Sequence, residues 1–352
     1  MTEVSSGSAP YIYVATRMRV RKAKLIPKEE YQRMLNMGLP EFTRLIEEME
    51  YKREIDELAA SFAGVDLIEN AMSWNLAKEY QKIISLAPGE MKGFTRDYLH
   101  KWYIQNILTI LRGKLLGFSD GKIKAVLVPA GALDAAALDK LLAESSIERI
   151  VELIPIKPIA DIISERIAKA LELRNLRLIE VELYKYYYAT LVKAGHGIMK
   201  GSGPFLKYVV FEIDVKNITT LFRLRAQATQ QCSTLGLWIE GGTFKPDELE
   251  RLTSTESIDE VVDTLKKKVK AQVLIDTLEE LREKKPVYEI ESRLIAAQLT
   301  QMDKSSKREP FSISPVLVYL ENKKYEVANL RALARGKEAG LEPEVLVKYL
   351  VM

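Results

Sequence analysis

The sequence predicts an all-α protein made of three similar helical domains in a pseudo-threefold, funnel-like arrangement. Three observations carry that prediction: apolar residues recur at spacings of three and four, strand-like alternation is scarce, and one polar motif returns at regular intervals. The motif reads Tyr103-Ile-Gln-Asn106-Ile-Leu-Thr-Ile-Leu-Arg112-Gly-Lys114, then Asp214-Val-Lys-Asn217-Ile-Thr-Thr-Leu-Phe-Arg223-Leu-Arg225, then Tyr325-Glu-Val-Ala-Asn329-Leu-Arg-Ala-Leu-Ala-Arg335-Gly-Lys337. Each copy has an asparagine, an arginine six residues later, and a further base. The first two copies lie 111 positions apart, and the same shift carries Gly131 onto Gly242, Leu133 onto Phe244, Leu138 onto Leu249 and Ile147 onto Ile258. The last lies 223 positions from the first and takes Gly117 to Gly340, Phe118 to Leu341 and Leu127 to Leu350.

Along the chain, residues 1 to 10 are small and polar and read as a loose tail, not a secretion signal. Tyr13 to Lys22 looks like a degenerate motif copy. Pro27 to Leu35 and Leu39 to Ile46 resemble Ala135 to Leu142 and Ile147 to Ile154, which predicts paired short amphipathic helices. A longer helix closes each unit, starting near Asp66, Ile179 and Tyr288; in the first of them Ile68, Met72, Leu76, Ile83 and Leu86 keep the helical spacing. Ala87 to Arg96, Ala194 to Pro204 and Asp303 to Pro315 are rich in Gly, Pro, Ser and Lys and read as loops before each motif helix. The expected domains are residues 1–97, completed by a C-terminal helix over 316–352, then 98–205 and 206–315. A closing helix that resumes the pattern favours a closed body over an open solenoid.

Composition narrows function. With 47% hydrophobic and 29% charged residues the 352-residue chain is globular, and 52 Lys and Arg against 49 Asp and Glu give +3, no electrostatic case for nucleic acid. Apolar runs such as Ala125 to Leu133 fall short of the roughly 20 residues a membrane span needs, so an intracellular protein is expected. The single Cys232 cannot form an internal disulfide, and His100 and His196 stand too far apart in sequence to suggest a zinc site. No metal-binding or nucleophile spacing occurs, so neither cofactor nor catalysis is expected. Gly195-His-Gly197-Ile-Met-Lys200-Gly201-Ser202 has the wrong order for a phosphate-binding loop and reads as a linker.

Taken together, the Tyr13 to Lys22 opening, the two Arg-Gly-Lys copies and the triplication resemble the C subunits of archaeal and bacterial A-type (V-type) ATP synthases, related to the d subunit of the eukaryotic vacuolar ATPase. The resemblance covers nearly the whole chain. It implies a non-catalytic rotor connector without nucleotide or cofactor, which sits as a peripheral protein on the cytoplasmic face of the cell membrane. There it would receive the D and F proteins of the central stalk, rest on the proteolipid ring, and carry torque between ATP synthesis or hydrolysis and proton or sodium ion transport. A soluble helical-repeat scaffold that binds other proteins is the alternative.

Several residues invite two readings. Asn106 with Arg112 and Lys114, Asn217 with Arg223, and Asn329 with Arg335 could line a partner socket, since arginine suits bidentate contacts, or could tie neighbouring helices together within each unit. The cluster Arg17, Arg19, Arg21, Lys22 and Lys24 could meet acidic stalk residues or lipid headgroups, or form a solvated face. Tyr184 and Tyr188 share a helix face and read as core, and Lys266 to Lys270 reads as solvated.

Overall fold

The structure, a computed structural model, describes residues 9–130, 133–197, 202–226, 235–283 and 285–352, and no strand occurs among them. The chain opens with α1 (Ala9–Lys22), α2 (Lys28–Leu35), α3 (Leu39–Glu47), α4 (Lys52–Leu58) and the long α5 (Gly64–Leu86). A second series follows: α6 (Gly89–Leu115), α7 (Asp120–Val126), α8 (Ala135–Ala143), α9 (Ile147–Glu152), α10 (Lys157–Glu172) and α11 (Arg177–Gly195). The third is α12 (Ser202–Ala226), α13 (Pro246–Ser254), α14 (Ile258–Lys268), α15 (Gln272–Glu280) and α16 (Val287–Arg308), after which α17 (Ser314–Glu338) and α18 (Pro343–Leu346) end it. Motif helix, short helices and long helix thus recur in the expected order. Even the caps repeat, for Ser146 starts α9 and Ser257 starts α14, each accepting from the backbone N–H three residues on. Such a cap contributes about 1 kcal/mol.

Two of the three expected loops are mostly helix, and the described part of the third is entered by helix from both ends. Ala87 to Arg96 forms the first turns of α6, Ser202 already belongs to α12, and α16 and α17 cover much of Asp303 to Pro315, so the boundaries 97/98, 205/206 and 315/316 fall inside motif helices. Proline and glycine read as breakers in sequence, yet proline is compatible with a helical first turn, where its missing N–H has no partner to lose. Pro315 occupies that position in α17. In α6 the buried Met91, Phe94 and Tyr98 hold the early turns down. Helix α1 likewise begins inside the expected tail, at Ala9. Gly131, Lys200, Gly201 and Cys232 lie outside the described residues.

The helices gather into two compact units. One comprises Met37–Leu86 and Thr95–Tyr187, with Phe42, Ile46, Ile68, Met72, Ile107 and Leu111 among its buried side chains. The other comprises the chain through Asn36, Ala87–Phe94 and Tyr188–Met352. Its core includes Ile218, Leu221, Leu249, Val261, Val262 and Leu265, with Trp238 and Phe244 from the intervening segment. In this second unit α1 packs along α17.

Just past the end of α10, beyond the capping Leu173, stands Arg174, the one non-glycine residue with positive φ (+47°) among those described, and Asn175 N–H reaches back to the carbonyl of Ala170. A side chain in that left-handed geometry is strained, whereas glycine is not. Arg174→Gly is expected to stabilise the protein by about 0.5–1 kcal/mol, read as a rise in the urea midpoint.

Candidate functional site

Each motif asparagine is buried: Asn106 is 2%, Asn217 1% and Asn329 3% exposed. In every copy the amide brackets one backbone residue 22 positions ahead. Asn106 Nδ2 donates to the Val128 carbonyl at 2.6 Å, while its Oδ1 accepts from Val128 N–H at 3.0 Å. Asn217 does the same to Ile239 at 2.8 and 3.0 Å, and Asn329 to Val351 at 2.8 Å in both directions. A primary amide places a donor and an acceptor side by side at the end of a short stem, so it can satisfy both polar groups of one peptide. The extended residue after the short helix therefore docks against the motif helix without a strand partner, and no buried N–H or C=O is left open there.

Neighbouring positions continue the fastening. Three residues before the asparagine stand Tyr103, Asp214 and Glu326. Asp214 accepts from both the N–H and the hydroxyl of Thr243 at 2.6 Å, and Glu326 accepts from Ile26 N–H at 2.7 Å. Burial raises the Tyr103 phenol to about 12. Six residues after the asparagine, Arg112 bonds Glu180 at 3.0 Å and Arg223 bonds Glu291, both 68 positions ahead on the long helix, whereas Arg335 pairs with Glu338 on its own helix. These arginines are 50%, 53% and 46% exposed, so each pair contributes at most about 1 kcal/mol.

The next residue is glycine in two copies. A Cβ on Gly113 would lie 2.5 Å from Ile123 Cγ1, and one on Gly336 would strike Leu346, so α7 and α18 sit directly against the motif helix. The last base then closes the pattern. Lys114 pairs with Asp120, Lys337 donates to the Leu35 carbonyl at the end of α2, and Arg225 donates to the carbonyls of Leu252, Thr255 and Glu256 at the end of α13. Cations suit such helix C-termini, whose last carbonyls lack intrahelical partners. Lys337 therefore does for α2 what Arg225 does for α13, across 302 residues of chain. Gly117 and Gly340 end α6 and α17 with φ of +71° and +69°, and in both the residue after the glycine bonds back to the motif glycine's carbonyl.

The other singled-out residues are also engaged within the chain. Arg17 donates to the Tyr13 hydroxyl, Arg19 to the Pro310 carbonyl, and Lys22 pairs with Asp303, so the basic cluster partly pins α1 to α16 and to the turn that follows it. Arg21 lies on the same helix and has its own electrostatic or hydrogen-bonding interaction. Tyr188 is buried and Tyr184 half-buried, and Tyr187, three residues from Tyr184 on the same helix, is buried and donates to the Tyr98 carbonyl at 2.8 Å. Lys266 and Lys268 pair with Glu279 and Glu248. Sequence reasoning misses Asp214, Glu326, Glu180 and the bracketed residues 128, 239 and 351 as participants. The same 111 and 223 shifts relate the last three, and all are β-branched.

Burial pushes the Asp214 carboxyl above its usual range despite the pull of the Thr243 hydrogen bonds. Folding favours the neutral acid, so that contribution is present below the unfolded value of about 3.9 and is lost as pH rises through the raised folded value. Asp214→Asn removes the ionisation and keeps the shape. The variant is expected to melt above the parent at pH 7, with the difference vanishing as the pH falls to about 4; a gap independent of pH would contradict this assignment.

Among the described residues no group of three or more His, Cys, Asp or Glu is placed to hold a metal, and no helix is long and apolar enough to cross a membrane. The sequence model of the ATP synthase (C/AC39) subunit matches residues 14–349. The chain belongs to the ATP synthase C/AC39 family. It is 37% identical over 349 residues to the C subunit of the A-type ATP synthase of Methanosarcina acetivorans, covering 98% of this chain and 94% of that protein. It is 34% identical to the protein of that name in Archaeoglobus fulgidus (100% and 99% covered) and 31% identical to that in Haloferax volcanii (99% of each). The C/AC39 match spans all three asparagines and the bracketed Val128 and Ile239, and stops two residues short of Val351.

Proposed function

We propose that the chain is the non-catalytic connector of a rotary A-type ATP synthase, joining the D and F proteins of the central stalk to the membrane proteolipid ring on the cytoplasmic face. In this reading it turns with the rotor and carries torque between ATP synthesis or hydrolysis and proton or sodium ion transport. The observation that carries the proposal is kinship along almost the whole chain with proteins named as the C subunit of A-type ATP synthases. The fold supports it physically. A part that transmits torque must resist shear between its helices, and close-packed cores tied by buried, two-way hydrogen bonds meet that demand. The three repeats, 1–97 with 316–352, 98–205 and 206–315, would form the walls of a pseudo-threefold funnel. The half-exposed Arg112, Arg223 and Arg335 are the motif side chains with surface left for a partner.

Purified D–F stalk and isolated proteolipid ring, mixed at moderate salt, should co-purify only when this chain is added. Failure to bind either component would sink the connector role and favour a scaffold that acts away from membranes.

A further inference from the structure

A partly open cavity of about 690 Å³ is lined by α12, the turn between α14 and α15, α16 and α17, all within one compact unit. Its volume lies inside the roughly 300–1,000 Å³ typical of small-molecule sites. Much of the wall is apolar, with Val210, Phe211, Leu274, Met302, Leu317 and Val318. Its charged groups are Lys207, Lys268, Lys270 and Arg308 against Asp214 and Glu309. Most are already matched: Lys207 pairs with Glu309 at 3.0 Å, Lys268 with Glu248, and both Asp214 oxygens accept from Thr243. Lys270 and Arg308 are exposed, and neither has a hydrogen-bond or ion-pair partner among the described residues.

An apolar trough with two exposed cations that lack a partner among the described residues complements a molecule that is anionic at one end and greasy along its length. We propose that this cavity binds a single-chain anionic amphiphile, with its carboxylate or phosphate head on Lys270 and Arg308 and its alkyl tail along Val210, Phe211 and Leu317. An extended peptide fits less well. It would bury main-chain N–H and C=O groups against a wall offering few uncharged polar side chains, Gln301, Ser305 and Ser314 among them, whereas an alkyl tail brings no polar group to satisfy. The proposal is independent of the rotary role, because it concerns the purified chain alone.

Isothermal titration of the full chain with lauric acid and with dodecyl phosphate, each below its micellar concentration, tests it. Saturable binding at one amphiphile per chain is expected. The double variant Lys270→Glu/Arg308→Glu, on exposed positions, should raise Kd about tenfold or more, and Val210→Trp, which fills the trough, should abolish binding while the thermal midpoint of either variant confirms folding. Zwitterionic dodecylphosphocholine should bind more weakly than dodecyl phosphate. The proposal is overturned by absent saturation, by equal affinity in parent and charge-reversed chains, by inorganic phosphate at amphiphile-like concentration abolishing the binding heat, or by an acidic peptide binding where neither amphiphile does.

Discussion

Asn106→Ala is expected to destabilise the protein by about 3 kcal/mol, far more than an ordinary surface change, with the loss read as a lower urea midpoint at unchanged slope. The substitution strips partners from both polar groups of Val128, which is itself buried, and water has no easy route to replace them. An unsatisfied buried group costs about 1–3 kcal/mol, and two are created at once. Asn217→Ala and Asn329→Ala should act in the same direction but cost less, because Ile239 and Val351 are held in the same way yet are only partly buried, so water can replace some of the lost bonds. Asn106→Asp separates hydrogen bonding from shape. The carboxylate still accepts from Val128 N–H but turns a second acceptor toward its carbonyl, so the defect should ease as acid restores a donor. By contrast, Arg112→Ala and Arg335→Ala remove half-exposed pairs and should shift stability by less than about 1 kcal/mol.

The second large effect is expected at Gly113. Valine there would drive its branched carbons into Ile123, whose Cγ1 is already only 2.5 Å from where a Cβ would sit. Overpacking of this kind costs about 1–3 kcal/mol, and a β-branched residue adds a further rotamer restriction against the preceding turn. Gly113→Ala should cost less, because the roughly 1 kcal/mol gain in helix propensity offsets part of the clash. Combining Gly113→Val with Ile123→Ala should recover much of the loss, since the obstructing side chain is gone. A double-mutant cycle showing no coupling would mean that α7 does not press on α6 as described.

The repeated spelling lets the sequence disclose that Asn106, Asn217 and Asn329 belong together, and helical spacing discloses the long helices near Asp66, Ile179 and Tyr288. What the asparagines hold is less legible. Their partners are backbone groups, which leave no mark on residue identity beyond a β-branched side chain at 128, 239 and 351. Asp214 and Glu326 escape notice because the equivalent position in the first copy is Tyr103, a residue of different chemistry, so no shared letter marks the position. The starts of α6, α12 and α17 are misplaced by the sequence for a related reason. Composition marks Pro and Gly as breakers, while buried side chains such as Met91 and Phe205 extend the helices through them. The motif's Leu224, standing where the other copies have glycine, is a further case, since its tolerance depends on a neighbour that sequence does not reveal.

Native-state amide hydrogen exchange at Val128, Ile239 and Val351 tests most directly whether the motif works as an internal fastener. All three amides should be strongly protected, and each should lose protection selectively in the alanine variant of its own asparagine, leaving the other two slow. Fast exchange at all three in the parent protein, or protection that survives removal of the asparagine, would contradict it.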